Sequence, residues 1–158
     1  MDYLNVQKEE EKVQYIVVKF GGEQYGIDIK YIDNIVRMQR ITRVPKVQKY
    51  IKGVTNLRGE IIPVVSIRLK MGLENDEYTK NTRIIIIRLD NGDVIGILVD
   101  EVKGVINLGP SSIERVSYDA NKEEKSNYLY GVGKDQGELI SLLDMNLVFA
   151  DKEVPANI

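Results

Sequence analysis

Short runs of alternating or consecutive apolar residues, bounded by Gly, Asn and Asp, recur along this chain, a pattern that predicts strands rather than long helices. Four pairs of runs read as hairpins. Residues 15–20 and 24–29 flank Gly21-Gly22, and residues 53–57 and 61–67 flank Arg58-Gly59. Residues 83–89 and 94–99 flank Asp90-Asn91-Gly92, and residues 128–134 and 138–143 flank Asp135-Gln136-Gly137. Asn-Gly is a strong turn signal because both residues tolerate positive φ. Helical signals are short: 31–36, 47–51 and 144–150, the last with Asp144 placed to accept an exposed backbone N–H as its cap. Residues 73–81 and 115–127 read as polar connections, and 1–12 and 151–158 as polar tails.

The two halves resemble each other. Gly53-Val54, Gly59-Glu60, Ile62, Val64-Val65 and Leu69 return at one fixed offset as Gly131-Val132, Gly137-Glu138, Ile140, Leu142-Leu143 and Leu147. Gly26-Ile27, Ile29, Ile32 and Ile35-Val36 return as Gly96-Ile97, Val99, Val102 and Val105-Ile106, at an offset that differs by a few residues and that one loop insertion absorbs. Strands share a small alphabet, but two Gly-Val pairs and two Gly-Glu turns held in register are hard to ascribe to it. The expectation is a duplicated unit: a hairpin, a short helix-like bend and a second hairpin. Five short strands per copy suit a small closed barrel, which removes exposed sheet edges. The predicted fold is therefore mostly β, two packed five-stranded barrels with short helices. One lobe falls near 15–70 and the other near 82–147 of a domain spanning 13–150.

Composition narrows the chemistry. Hydrophobic residues make up 43% of the 158, enough for a substantial interior. Lys+Arg (22) nearly balances Asp+Glu (24), which argues against a dedicated nucleic-acid binder. No Lys/Arg run exceeds two residues, so a polybasic membrane patch is not expected. The longest β-like apolar run, 84–87, is far short of a membrane span, and 1–12 lacks the apolar core of a secretory signal; the expected location is cytoplasmic.

There is no Cys and no His, which removes disulfides, thiolate chemistry, the commonest general base and the commonest transition-metal ligand. Catalysis would then need paired carboxylates, a Ser–Lys dyad or Mg²⁺ held by carboxylates. The acidic runs Glu9-Glu10-Glu11, 74–77 and Glu123-Glu124 read as solvated segments. Asp28, Asp33 and Asp100, at strand ends, read as strand terminators and helix caps rather than metal ligands. Ser111-Ser112 follows Gly109-Pro110 without the G-x-S-x-G elbow of a nucleophile, and the pairs Gly21-Gly22 and Gly131-x-Gly133 lead into strands, unlike phosphate loops. No enzyme activity, cofactor or metal is expected.

Residues 53–73 read GVTNLRGEIIPVVSIRLKMGL, in which the turn Asn56-Leu57-Arg58-Gly59 is followed by an I-x-P-V-V strand. With the preceding Tyr50-Ile51-Lys52, this segment closely resembles the CheW family of bacterial chemotaxis coupling proteins. The resemblance runs from Gln14 to Phe149 and includes 23–29 (EQYGIDI), 42–45 and 96–100. It implies two intertwined, SH3-like barrels and a non-catalytic scaffold, recruited from the cytoplasm to membrane receptor arrays. Such a scaffold links the signalling tips of transmembrane chemoreceptors to the histidine kinase CheA, whose regulatory domain has the same fold, so that coupler and kinase can assemble into rings. The length and the lack of His argue against the kinase itself or a receiver fusion. Ser66 stands where the family usually has Asp, and a lost hydrogen bond or cap near Arg68 is the expected consequence. The competing reading is a generic SH3-like peptide-binding module of another signalling pathway; 7% aromatics and no Trp offer little of the groove it would need.

The resemblance also implies which residues bind receptor: Ile32, Asn34, Ile35 and Val105, with Arg58, around a groove between the lobes. An amphipathic helix would lay its apolar stripe on the branched aliphatics, while Arg58, held clear of the core by its Gly59-flanked turn, fixes the register from the rim. Spacing alone makes Ile29, Ile32 and Ile35, and likewise Val99, Val102 and Val105, one face of a bend; for Ile29, Val99 and Val102 a core role is expected. The kinase-contact residues are left open. Pro63, which cannot donate to a ladder, points to an edge or bulged strand.

Overall fold

The computed structural model describes residues 11–116 and 128–150; the acidic pairs Glu9-Glu10 and Glu123-Glu124 and nearly all of both expected tails lie outside them. Eleven strands follow in order: β1 (Val13–Phe20), β2 (Glu23–Asp28), β3 (Ile32–Arg37), β4 (Ile51–Leu57), β5 (Glu60–Ser66), β6 (Arg83–Arg88), β7 (Val94–Val99), β8 (Glu101–Leu108), β9 (Ile113–Arg115), β10 (Leu129–Asp135) and β11 (Glu138–Leu143). Two one-turn helices, Ile67–Lys70 and Met145–Val148, follow β5 and β11. The hairpin turns at Gly21-Gly22, Arg58-Gly59 and Gln136-Gly137 all have positive φ at both residues. That is the turn whose twist matches antiparallel strands, and even Arg58 and Gln136 adopt it.

The strands form a six-stranded sheet in the order β8-β1-β2-β11-β10-β9 and a five-stranded sheet in the order β3-β6-β7-β5-β4. Each sheet draws on both copies of the duplicated unit. The joints are two parallel pairings, Val64↔Gly96 and Val65↔Ile97 between β5 and β7, and Leu142↔Gly26 and Leu143↔Ile27 between β11 and β2. These are the repeat-related residues themselves, so the duplication folds by exchanging hairpins and the barrels are intertwined.

Strand periodicity then distributes the core. Ile85 and Ile87 of β6, with Ile16 and Val18 of β1, belong to a central cluster that draws on both sheets. The alternate residues go outward: Ile84 and Ile86 to a cluster within the five-stranded sheet, Tyr15 and Val17 to one within the six-stranded sheet. Both faces of β1 and β6 are thus buried, which is why 84–87 is an unbroken apolar run. No helix among the described residues is long and apolar enough to cross a membrane.

Several local expectations are corrected. Residues 31–36 are not helical: a 3-10 turn, Ile29–Tyr31, precedes β3, and residues 47–50 form no helix, ending in a turn at 49–50 that leads into β4. Ile29 is 40% exposed rather than core, whereas Val99 is buried. Residues 144–150 do begin a helix, with Asp144 accepting from the N–H groups of Asn146 and Leu147. Pro63 lies on an interior strand, not an edge, and the bulge near it falls on the partner strand β4, where Lys52 is the extra residue. Pro63 sits opposite Val54, whose own N–H and C=O are bonded to Thr42, both at 2.8 Å, and the pairing of β5 with β7 begins only at Val64. The missing N–H therefore falls where no ladder requires it.

Candidate partner-binding seam

In both sheets one edge strand carries a bulge at the same point of the repeat. In β3, Ile32 faces Ile87 and Asn34 faces Ile86, so Asp33 is the extra residue. In β8, Val102 faces Val18 and Gly104 faces Val17, so Lys103 is the extra residue. Residues three apart on a regular strand point to opposite faces; one inserted residue brings them back to the same face. Ile32 and Ile35 therefore lie opposite Ile87 and Ile85, and Val102 and Val105 lie opposite Val18 and Ile16. All four partners belong to the central cluster. Ile32, Ile35 and Val102 pack half-buried against that cluster, while Val105 remains 52% exposed. β3 and β8 end their sheets, so these aliphatics make an apolar seam along each of two edge strands, over the central cluster they share.

Asn34 and Arg58 are elsewhere. Asn34 takes the other face of β3, opposite Ile86 of the outer cluster, and its Oδ1 accepts the Ile35 N–H at 2.9 Å. With Arg58 it lines a cleft of about 320 Å³ that also receives Asp33 and Glu60. Arg58 is exposed and makes no ion pair among the described residues. The five expected residues thus divide, Ile32, Ile35 and Val105 along the seam, Asn34 and Arg58 in the cleft, with Asp33 at the bulge between. Asp33 and Glu60 were not singled out as binding residues. Hairpin register gives the signal for Glu60, which pairs with Leu57 beside Arg58.

Beside the seam, loops are tied down by polar contacts. Ser66 is fully buried, and its Oγ accepts the Leu69 N–H at 3.1 Å, so the expected loss of a cap does not occur. The same hydroxyl donates to Asp76. Asp76, expected in a solvated acidic segment, is half-buried. Burial holds its carboxyl above the usual carboxylate range, against the opposing pull of Ser66, Lys52 and Arg68. Asp100, between β7 and β8, accepts from Arg68 Nη1 at 2.8 Å and from the Gly21 N–H at 3.3 Å. Asp28 caps the 3-10 turn through the Lys30 N–H at 3.0 Å. Among the described residues no three His, Cys, Asp or Glu side chains are grouped to hold a metal ion.

This arrangement can bury a partner's apolar stripe and offer charge at its rim. Comparison with known proteins identifies the family. The family model of the CheW-like domain matches residues 14–153. The chain is 37% identical over 138 residues to a chemotaxis protein CheW of Bacillus subtilis, covering 87% of this chain and 86% of that one. A chemotaxis protein CheW of Helicobacter pylori is 35% identical over 134 residues, 85% of this chain and 79% of the relative. Among solved structures, the scaffolding protein TtCheW from Thermoanaerobacter tengcongensis superposes with a TM-score of 0.79 at 28% identity, covering 93% of this chain and 97% of that one.

Proposed function

The chain belongs to the CheW-like family of chemotaxis proteins, and from that premise we propose that it is a non-catalytic adaptor coupling the cytoplasmic tips of transmembrane chemoreceptors to the histidine kinase CheA. Residues 13–150 are the working unit, held at receptor arrays by its partners. Family membership gives no support to a generic SH3-like peptide module. The observation that carries the reading is the pair of equivalent bulges that set Ile32, Ile35, Val102 and Val105 opposite residues of one central cluster, along two edge strands. An amphipathic receptor helix covers those aliphatics, and Arg58 with Asn34 holds a polar group of the partner at the neighbouring cleft. The kinase docks through its own barrels of the same fold, at a surface not assigned to residues here.

Co-sedimentation with receptor-bearing membranes tests this. Removing an aliphatic anchor and burying a charge in its place costs about 2–4 kcal/mol of binding, whereas a rim charge is worth about 1 kcal/mol. Ile35→Asp should therefore release the chain from membranes more completely than Arg58→Ala, and Arg58→Glu should be worse than Arg58→Ala. The parent chain should raise kinase activity only when receptor is present. The reverse order of the first two variants, or activation without receptor, would count against the seam.

A further inference from the structure

The connection between β3 and β4 carries a charge pattern that the seam does not use. Arg37, Arg40, Arg43, Lys46, Lys49 and Lys52 fall at every third position, and with Arg58 they make seven Lys/Arg and no Asp/Glu between Asn34 and Gly59. That leaves 15 of the 22 Lys+Arg to face all 24 Asp+Glu in the rest of the chain. The first five of the series are exposed and Lys52 is half-buried, whereas Met38, Ile41, Val44, Val47 and Tyr50, on the intervening period, are all partly covered. The strip bends around a concavity of about 630 Å³ in which Arg43, Lys49 and Lys52 stand with Ile41 and Ile51, and Tyr78, itself 52% exposed, lines the same hollow. None of these cations makes an ion pair among the described residues. Lys52 Nζ donates to the neutral Asn75 side-chain oxygen at 2.8 Å, and the carboxylate whose charge Lys52 senses, Asp76, is bonded to Ser66.

We propose that this hollow binds an acidic, partly apolar peptide segment of a partner protein, at a surface separate from the β3–β8 seam. Each half of its lining calls for half of that ligand. Three uncompensated cations favour carboxylates, while Ile41, Ile51 and an exposed Tyr are the kind of surface an aliphatic anchor covers; Tyr and Arg are over-represented where binding energy concentrates. A bare inorganic anion leaves the aliphatic lining wet. A neutral apolar peptide leaves the cations unanswered. A flat anionic bilayer reaches the rim of a concave site but not its interior.

The full chain is titrated into a labelled dodecapeptide of Glu and Leu, into its Gln-for-Glu analogue, and into vesicles of phosphatidylglycerol. The Glu peptide binds and weakens as salt rises, and the Gln analogue binds at least tenfold more weakly. Arg43→Glu with Lys49→Glu lowers affinity for the Glu peptide at least tenfold. Lys12→Glu with Lys134→Glu, the same change of net charge at exposed positions just before β1 and on β10, leaves affinity within about twofold. Tyr78→Ala, which alters no charge, weakens binding at least threefold. Equal loss in the two charge-reversal pairs, equal binding of the Gln analogue, no binding of the Glu peptide, or stronger capture by the vesicles would each overturn the assignment. Ile35→Asp keeps the peptide affinity while losing receptor, so failure here and failure of the seam are told apart.

Discussion

Placing at position 66 the Asp that the family resemblance led us to expect should weaken this protein rather than improve it. Ser66 is fully buried at the end of β5, where its Oγ caps the helix Ile67–Lys70 and its hydroxyl proton goes to Asp76. Ser66→Asp keeps an oxygen for the cap but sets a second carboxylate against Asp76. Two like charges about 4 Å apart cost roughly 4 kcal/mol at an effective dielectric of about 20. Because Asp76 is half-buried rather than enclosed, about 3 kcal/mol survives screening by solvent. For a chain of this size that lowers the melting temperature by roughly 6–12 °C, and urea unfolding at pH 7 gives a lower midpoint with an unchanged slope. Asp76→Asn in the same chain should restore most of the loss, a coupling of about 2–3 kcal/mol in a double-mutant cycle.

The pH dependence has a definite sign. Burial raises the Asp76 carboxyl in the folded state, so the folded form takes up its proton more readily than the unfolded chain. The stability this group contributes is present at low pH and is lost as pH rises through the folded-state value. A second carboxylate steepens that loss, because the pair shares a proton at low pH and repels once both ionise. The gap between Ser66→Asp and the parent should therefore close as the pH falls and the pair takes up protons. If Ser66→Asp melts with the parent at pH 7, or if Asp76→Asn fails to rescue it, the reasoning is refuted.

Other perturbations follow from single contacts. A Cβ on Gly53, whose φ is +143°, would lie 2.1 Å from the Thr42 carbonyl oxygen, so Gly53→Ala must break the Thr42–Val54 bridge and should cost about 3 kcal/mol in urea unfolding; a loss under 1 kcal/mol would contradict this. Arg68→Ala removes a partly exposed pair with Asp100 and a bond to the Glu74 carbonyl, and should cost about 1 kcal/mol, less at high salt; a melting shift independent of salt would point to packing instead. Val105→Asp puts a charge on an aliphatic of β8 that is 52% exposed. The variant chain should stay folded by circular dichroism yet lose receptor co-sedimentation, and retained binding would show that the seam is not the site.

The hairpins are legible in the sequence because their turns are local: Gly21-Gly22, Arg58-Gly59 and Gln136-Gly137 advertise positive φ within two residues. The duplication is legible because the repeat is held in register, but a repeat does not say which copies pair. The intertwining is implied by the family resemblance alone, and its joints, Gly26 with Leu142 and Gly96 with Val64, come from the fold. What misleads is spacing. Ile29, Ile32 and Ile35 fall three apart, as they would on one face of a helix, but a bulged strand gives the last two the same relation through Asp33. Nothing local separates the two, since the bulge exists only against its partner β6. The Ser66–Asp76 bond is hidden for a related reason: a loop carries the acid back to a strand end, and neither residue belongs to a periodic pattern. The basic strip escapes a search for contiguous charge because its members stand every third residue.

The same geometry explains why resemblance names seam residues more readily than it groups them. Asn34 and Ile35 are neighbours on a strand and must face opposite ways, so a set containing both describes two surfaces, not one groove. The duplicated bulges add a further distinction. Their extra residues are equivalent in the repeat but opposite in charge, Asp33 on β3 and Lys103 on β8, and both are exposed. On the proposed reading, the near-equivalent aliphatics of β3 and β8 do not tell a partner helix from its reverse, whereas the unlike bulge charges, where the two copies of the unit have diverged, set its direction.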